Sequence, residues 1–300
     1  MNQYRQALEK RQLAASTIDR YCKDLQQFLD WWKGFPNDVQ STNILDYVQY
    51  LQNQKLSPTR INSHLNSLRQ YYSLVVQTHN PVGSIYLKNK RANVLENVLD
   101  YKELTALYAN YPTPDNRHYR NKIILGLLVY QGLSNQDLHQ LTIENIDLKQ
   151  GKIHVPPSRR ANSRTLEINI TQLLDLRHYV YKVRPQLLQN MTSEQAGRKT
   201  AIIKDEVYEQ LFFSRTGSVQ LKNSLKHLFI YLRKMHPKII NAKQIRASVL
   251  AHWLREKDVR QVQYMAGHRY VSSTEQYDLY RYESLKNSLL EFHPLADKPP

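Results

Sequence analysis

The residue types best suited to chemistry lie near the C-terminus, within 35 positions of one another: Lys243, Arg246, His268 and Tyr277. Lys243 and Arg246 are three residues apart, so they share one face if this segment is helical. An arginine fork matches two phosphate oxygens and stays charged at any working pH. A phenol activated by such neighbours can act as a nucleophile. The set therefore predicts attack on a phosphodiester by a tyrosine, with the developing charge held by side chains rather than by a metal.

Each of these residues also has an ordinary structural interpretation. Lys243 and Arg246 can be solvated cations on an amphipathic helix, and His268 can be a surface residue after a helix end. The chain has 21 tyrosines, so a tyrosine at position 277 is unremarkable by itself. Tyr280, three residues on, is an alternative nucleophile. The chemical interpretation therefore requires that the rest of the chain suit a nucleic-acid substrate.

The charge of the chain is compatible with such a substrate. The formal net charge is +16 and the pI is near 9.7, which indicates a polyanionic partner. Residues 1–100 carry 12 Lys and Arg against 8 Asp and Glu, and residues 101–300 carry 30 against 18. The net charges are therefore +4 and +12. Charge alone does not separate a nucleic-acid-binding protein from a soluble protein that happens to be basic.

Composition narrows the class of protein. A length of 300 residues allows one large domain or two ordinary ones, and only 8 glycines favour a mostly helical chain. A single cysteine, Cys22, excludes an internal disulfide framework and fits a reducing compartment. The N-terminus lacks the apolar core of a signal peptide, and the longest apolar run, 123–130, is far shorter than the ~20 residues that span a bilayer. We therefore expect a soluble, cytoplasmic protein.

The first 85 residues read as four short helices. Apolar residues recur with a period near 3.6, and caps are predicted at Ser16-Thr17, at Thr42 and at Ser57-Pro58. Residues 86–97 have little apolar periodicity and contain Lys88, Lys90 and Arg91. We interpret them as a basic interdomain linker, either solvated or lying along phosphates.

A second helical block begins at Asp100 and includes a central buried helix over 121–131. The period then changes to two over 152–155 and 165–170, which predicts a β-hairpin whose polar, basic loop spans 158–163. Helices resume after the hairpin, and the polar segment 189–199 reads as a loop.

The helices and turns that carry Lys243, Arg246, His268 and Tyr277 can be predicted one by one. Asn241 is a suitable cap for a helix that runs through Leu254 and carries both cations. Gly267 is placed to end the next helix in a left-handed conformation. Residues 272–275 form a capping-box pattern, which predicts a helix with the Tyr277 phenol exposed in its second turn.

The order and spacing of these residues resemble the catalytic domain of the tyrosine recombinases, the phage integrase family. Members show a His-x-x-Arg or Lys-x-x-Arg box, then Leu-Gly-His, then a nucleophilic tyrosine nine residues after that histidine. Here the counterparts are Lys243-x-x-Arg246, Ala266-Gly267-His268 and Tyr277. The N-terminal helices resemble the core-binding, SAM-like domain of the family, and the segment 132–138, Gly-Leu-Ser-Asn-Gln-Asp-Leu, resembles its motif Gly-Leu-Arg-x-x-Glu-Leu. The ending 292–295 is similar to that of integrases carried by mobile elements.

The resemblance implies a fold and a division of the chain. The fold class is mainly α with a small β-hairpin or sheet. The resemblance implies a SAM-like core-binding domain over 1–85, a linker over 86–97 and a catalytic domain with a C-terminal tail over 98–300.

Two positions depart from the family pattern. The first catalytic arginine of the family falls on Ser134, which is neutral. The catalytic lysine of the hairpin falls on Arg159 or its neighbour Arg160, and arginine is a poor proton donor. Arg159, Arg160 and Arg164 are candidates to fill the vacancy at Ser134, and Arg160 and Arg164 are also candidate DNA contacts.

The implied reaction is site-specific recombination. Tyr277 would attack a DNA phosphate and form a 3′-phosphotyrosyl link, with Arg246 and His268 on the non-bridging oxygens and Lys243 or a hairpin arginine nearby. Neither ATP nor a metal is implied. The implied partner is double-stranded DNA, bound by a homo- or hetero-tetramer, for integration or excision of a mobile element. The alternatives are an impaired DNA-binding relative that assists an active recombinase, and a basic helical protein without DNA chemistry.

Overall fold

The computed structural model describes residues 1–88, 98–196, 205–214 and 217–278. The chain divides into two compact units, Met1–Ala92 and Asn93–Pro300. Each unit has its own apolar core. None of the described helices is both long and apolar enough to cross a membrane.

Within residues 1–88 the first unit contains four α-helices, as its periodicity predicts: α1 (Asn2–Lys10), α2 (Ala15–Trp32), α3 (Ser41–Asn53) and α4 (Pro58–Tyr71). The Ser57 hydroxyl accepts a hydrogen bond from Arg60 N at 3.3 Å and Pro58 occupies the first turn, so the predicted start of α4 is confirmed. The other two predicted caps are wrong. Helix α2 begins before Ser16, and the cap of α3 is Gln40, whose side chain and that of Asn43 bond reciprocally to the backbone.

The second unit is built around a buried helix. Within the described residues its helices are α5 (Tyr101–Ala109), α6 (Asn116–Tyr130), α7 (Asn135–Gln140), α8 (Ile170–His178), α9 (Arg184–Ala196), α10 (Glu206–Glu209), α11 (Lys222–Met235), α12 (Ala242–Glu256), α13 (Val259–Ala266) and α14 (Ser272–Glu275). Residues 123–129 of α6 are all buried, which confirms the central helix. Arg246, Gly267 and His268 are carried by α12 and by the turn after α13.

A three-stranded antiparallel sheet lies among these helices. Its strands are β1 (Ile146–Asp147), β2 (Lys152–Val155) and β3 (Arg164–Glu167), in that order. The hairpin of β2 and β3 is confirmed, with Val155 opposite Arg164, whereas the short β1 was not predicted. Alternation along β3 turns Arg164 and Leu166 inward and Thr165 and Glu167 outward. The strand therefore sends an arginine side chain toward the core.

One predicted loop is a helix instead. The polar character of 189–199 predicts a loop, but α9 continues to Ala196, and residues 197–199 lie outside the described residues. Met191 packs with Val207 and Phe213 in a small separate apolar cluster. The Arg184 side chain donates hydrogen bonds to backbone carbonyls between Val207 and Gln210, which fixes the start of α9. These contacts join parts of the chain that local periodicity cannot relate.

Candidate active site

Helix α12 carries the two candidate cations. Its predicted cap is present, since the Asn241 side chain accepts a hydrogen bond from Gln244 N at 3.0 Å. Lys243 is exposed in the first turn. The Arg246 side chain, one turn later, is only 13% exposed. The two side chains lie on one side of the helix, as predicted, but only Arg246 is enclosed by the protein.

The Arg246 guanidinium connects three separate segments of the second unit. It donates hydrogen bonds to the carbonyl of Gly132, to the carbonyl of Ala266 at 2.6 Å and to His268 Nε2 at 3.2 Å. Burial lowers the pKa of Arg246, and the nearby Asp137 carboxylate opposes that shift. The side chain is therefore a fixed cation at the meeting point of the α6–α7 turn, α12 and the end of α13.

The hydrogen bonds of His268 define its protonation state. Arginine can only donate, so His268 Nε2 is the acceptor from Arg246. Nδ1 then carries the proton and faces Thr274 Oγ1 at 2.9 Å. Burial, followed by the charges of Arg246 and Arg164, lowers the pKa of His268 to about 4. The imidazole is therefore neutral at pH 7, with one defined tautomer.

Tyr277 lies beside His268. The two rings are nearly parallel, with an interplanar angle of 11° and centroids 6.1 Å apart. The expectation that the phenol is exposed in a second helical turn is wrong, because α14 ends at Glu275 and Tyr277 is only 8% exposed. Burial raises the pKa of Tyr277, and the Arg246 charge opposes the shift. Tyr280, the alternative nucleophile, lies outside the described residues.

The hairpin loop lies against the histidine. Arg159 and Arg160 are both exposed in the loop between β2 and β3. Ala161, the next residue, forms an isolated antiparallel bridge with His268. The backbone of the loop is thus attached to the site, while its two arginine side chains face solvent, where an external phosphate can reach them.

Ser134 caps α7 and contributes no charge. Its hydroxyl accepts from Asp137 N at 3.2 Å, and its own amide donates to Asp137 Oδ2 at 2.7 Å. Arg164 donates from Nη2 to the same Asp137 oxygen at 2.9 Å, and its side chain is fully buried. Burial alone would raise the pKa of Asp137, but Arg164 and the Ser134 hydrogen bonds outweigh it and hold the pKa below its usual range. Arg164 is therefore enclosed in this structure and does not lie where an exposed phosphate contact would.

The remaining predicted contacts are only partly within the structure. Lys88 is exposed at the end of the first described segment. Lys90 and Arg91 lie outside the described residues. In the part of the chain that the structure describes, no group of three or more His, Cys, Asp or Glu side chains is arranged to hold a metal ion.

Sequence reasoning missed Thr274, the partner of His268 Nδ1. A threonine six residues after a histidine is not a recognisable signal, because the contact depends on the turn at Gly267 and on α14. The assembled site offers a fixed guanidinium, a neutral imidazole and a phenol, and exposed cations lie on α12 and on the hairpin loop. Such a set can stabilise the oxyanion of a phosphate under attack.

Comparison with protein families gives two matches that together cover most of the chain. A model described as phage integrase, N-terminal SAM-like domain, matches residues 1–81. A model described as the phage integrase family matches residues 97–283, which is more than half of the chain.

Curated relatives extend over nearly the full length. The tyrosine recombinase XerD of Staphylococcus epidermidis (strain RP62A) is 24% identical over 297 residues, covering 95% of this chain and 94% of its own length. The tyrosine recombinase XerC of Natranaerobius thermophilus is 23% identical over 296 residues, covering 96% and 95%.

Solved structures share the fold. The site-specific recombinase XerH, in a post-cleavage complex with palindromic difH substrate, superposes with a TM-score of 0.68 at 15% identity and covers 95% of this chain and 82% of its own. The Tn1549 transposon integrase in complex with transposon right end DNA gives a TM-score of 0.62 at 16% identity, covering 97% and 99%. At these identities the likeness concerns the fold alone.

Proposed function

Because the chain belongs to the phage integrase family of tyrosine recombinases, we propose that it cuts and rejoins DNA strands through a covalent link to Tyr277. The observation that carries this proposal is the convergence of Arg246, His268 and Tyr277. The guanidinium lies 3.2 Å from the imidazole, and the imidazole stacks beside the phenol. These residues come from different elements of the second unit, and the fold joins them at one place.

The reaction is a transesterification at a DNA phosphate. The Tyr277 oxygen forms a bond to phosphorus in line with the 5′ oxygen, the bond from phosphorus to that oxygen breaks, and the phenol loses its proton as the 5′ hydroxyl gains one. Arg246 donates hydrogen bonds to the non-bridging oxygens, whose negative charge increases in the transition state. Lys243 and Arg159 are exposed cations, and we propose that they contact the same phosphate or its neighbours. The hydroxyl of a second strand reverses the step and completes strand exchange.

The resting site must rearrange before this reaction. Tyr277 is enclosed and burial raises its pKa, whereas Arg246 is engaged with two carbonyls and His268. A phosphate entering the site offers Arg246 an anionic acceptor in place of these neutral partners. We infer that DNA binding redirects Arg246 and allows the phenol to reach phosphorus.

The substrate is double-stranded DNA, which fits the net charge of +16. XerH and the Tn1549 transposon integrase were solved with DNA, which supports the same partner here. We propose that 1–85 is the core-binding domain, 98–300 the catalytic domain and 86–97 their linker. We further propose a homo- or hetero-tetramer on two sites, in the cytoplasm, for integration or excision of a mobile element.

A second candidate function rests on Ser134. Loss of one oxyanion donor typically costs about 10²–10³ in rate, so the protein can instead be an impaired DNA-binding partner of an active recombinase. The two candidates differ in one product, the covalent protein–DNA adduct.

A nicked suicide substrate tests the proposal. Loss of a short strand next to the cleavage site prevents religation and traps the 3′-phosphotyrosyl adduct, which migrates slowly on a denaturing gel. We expect an adduct with the wild type and none with Tyr277→Phe. Tyr264→Phe is the matched control, because this exposed tyrosine accepts a hydrogen bond from the backbone amide of Thr165 and should leave the adduct unchanged.

Two results would contradict the proposal. An adduct that survives Tyr277→Phe excludes this tyrosine as the nucleophile. Absence of an adduct with the wild type, on a site that it binds, favours the accessory function instead.

A further inference from the structure

A buried ion pair lies directly behind the proposed catalytic cluster. Arg164 begins β3, and its side chain has no exposed surface. Its guanidinium approaches both oxygens of Asp137, with Nη2 at 2.9 Å from Oδ2 and Nη1 at 3.5 Å from Oδ1. A fully buried arginine is uncommon, and such a pair contributes little net stability relative to apolar residues. Stability therefore does not explain why the Arg164–Asp137 pair is buried at this place.

Asp137 connects this pair to Arg246 and to Ser134. The carboxylate accepts from Ser134 N at 2.7 Å and lies 3.9 Å from Arg246 Nη1. One carboxylate thus faces two guanidinium groups, one from β3 and one from α12. The Arg164 charge acts on the same residues, since it contributes to lowering the pKa of both Arg246 and His268.

The turn at Gly267 confirms how close Arg164 lies to the histidine. A Cβ built on Gly267 would be 2.5 Å from Arg164 Nη1. The Arg164 guanidinium therefore packs directly against Gly267, the residue that precedes His268. The exposed arginines of the same hairpin, Arg159 and Arg160, have no such position.

We propose that Arg164 supplies the guanidinium that the family motif would place at Ser134. It reaches the site from the start of β3 instead of from the cap of α7. Because the side chain is enclosed, it is a positioning residue: it holds Asp137, and through Asp137 it orients Arg246 and adds positive charge behind the phosphate. This inference rests on the proposed function. If Arg164 has this role, the function of the family's first arginine has moved from position 134 to β3 and has not been lost.

An arginine exchange tests the proposal. Single-turnover cleavage of the suicide substrate is measured for Arg164→Met, Arg164→Lys, Ser134→Arg and the double variant Ser134→Arg with Arg164→Met. Arg164→Met should lose about 10²-fold in cleavage rate, because Arg246 is then no longer held in its productive position. The double variant should recover a large part of that loss, because the new arginine reaches Asp137 from the other side. Ser134→Arg alone should change the rate little, because the site already holds its second guanidinium.

Controls separate positioning from folding. Melting temperature and DNA binding by mobility shift are measured for every variant. If Arg164→Met does not fold, Arg164→Lys serves in its place, since it keeps the charge but loses the fork and should cleave more slowly than the wild type. Arg177→Met, at an exposed position in the last turn of α8, is the matched control for the loss of an arginine side chain.

A second readout does not depend on cleavage. The pKa of His268, followed by NMR, should rise from about 4 toward its ordinary value of 6.5 in Arg164→Met and fall again in the double variant. An unchanged His268 pKa in Arg164→Met, wild-type cleavage by that variant, or a large acceleration by Ser134→Arg alone would each overturn the proposal. A wild type that forms no adduct would instead refute the proposed function, and the His268 titration would still decide whether Arg164 acts on the site.

Discussion

Individual residues of the site are held in a resting state by one another. Arg246 is bonded to two carbonyls and to a neutral His268, and Tyr277 is enclosed beside that imidazole. The neutral form of His268 follows first from burial and then from the fixed cations Arg246 and Arg164, which make an imidazolium unfavourable. An arriving phosphate reverses this balance, because an anion favours the protonated form.

The titration of His268 tests this view at the residue scale. The folded-state pKa of about 4 lies below the unfolded value of 6.5, so the unfolded chain binds more protons between these pH values. Stability should therefore decrease as the pH falls from about 6.5 to about 4, and His268→Gln should reduce the dependence. NMR titration gives the pKa directly, and addition of DNA should raise it. A His268 pKa near 6.5 without DNA would contradict the assignment.

The predictability of the site differs from residue to residue. Spacing and the family resemblance identified Arg246, His268 and Tyr277, and the structure brings them together. The burial of Tyr277 was not predictable, because it depends on how the chain turns after α14. The pairing of Arg164 with Asp137 was not predictable either, since 27 positions separate them and only the hairpin brings them into contact.

At the scale of elements, the sequence predicted the helix ends and strands that depend on residues close to one another in the chain. The Asn241 cap, the Ser57-Pro58 start and the alternation along β2 and β3 all rest on contacts within a few residues. Helix α9 was missed because its stabilising contacts come from 207–213, on a separate part of the chain. The turn at Gly267 was predicted as a helix end, but its contact with Arg164 was not.

A pair of glycine substitutions measures what the Gly267 turn does. Both Gly267 and Gly151 have positive φ, at 70° and 65°. A Cβ on Gly151 would meet nothing within 4 Å, whereas one on Gly267 would be 2.5 Å from the Arg164 guanidinium. Gly151→Ala should therefore cost about 1 kcal/mol from backbone strain alone. Gly267→Ala should cost about 2–4 kcal/mol, because overpacking adds to that strain.

Urea unfolding gives the two stability losses, and the suicide substrate gives the effect on cleavage. Gly267→Ala should also reduce adduct formation, since it displaces Arg164 or His268, while Gly151→Ala should leave it intact. Equal losses of stability with unchanged cleavage in both variants would show that Arg164 and the Gly267 turn are not mechanically linked.

For the whole molecule, the basic charge that binds DNA can be distinguished from the small cluster of residues that carries out the reaction. Residues 101–300 carry a net charge of +12 against +4 for residues 1–100. Binding to DNA should be dominated by phosphate contacts, whose counterion release makes the affinity depend steeply on salt. The catalytic cluster is a small part of this charge, because His268 is neutral and Arg164 is paired with Asp137.

The dependence of DNA affinity on salt tests this separation. For about 6–10 phosphate contacts, affinity should fall about 10³–10⁵-fold between about 50 and 200 mM salt. Tyr277→Phe should leave this slope unchanged while abolishing the adduct, since the phenol carries no charge at neutral pH. Arg159→Gln with Arg160→Gln should make the slope shallower, because both side chains are exposed beside the site. A slope near zero for the wild type would show that the basic charge serves something other than DNA.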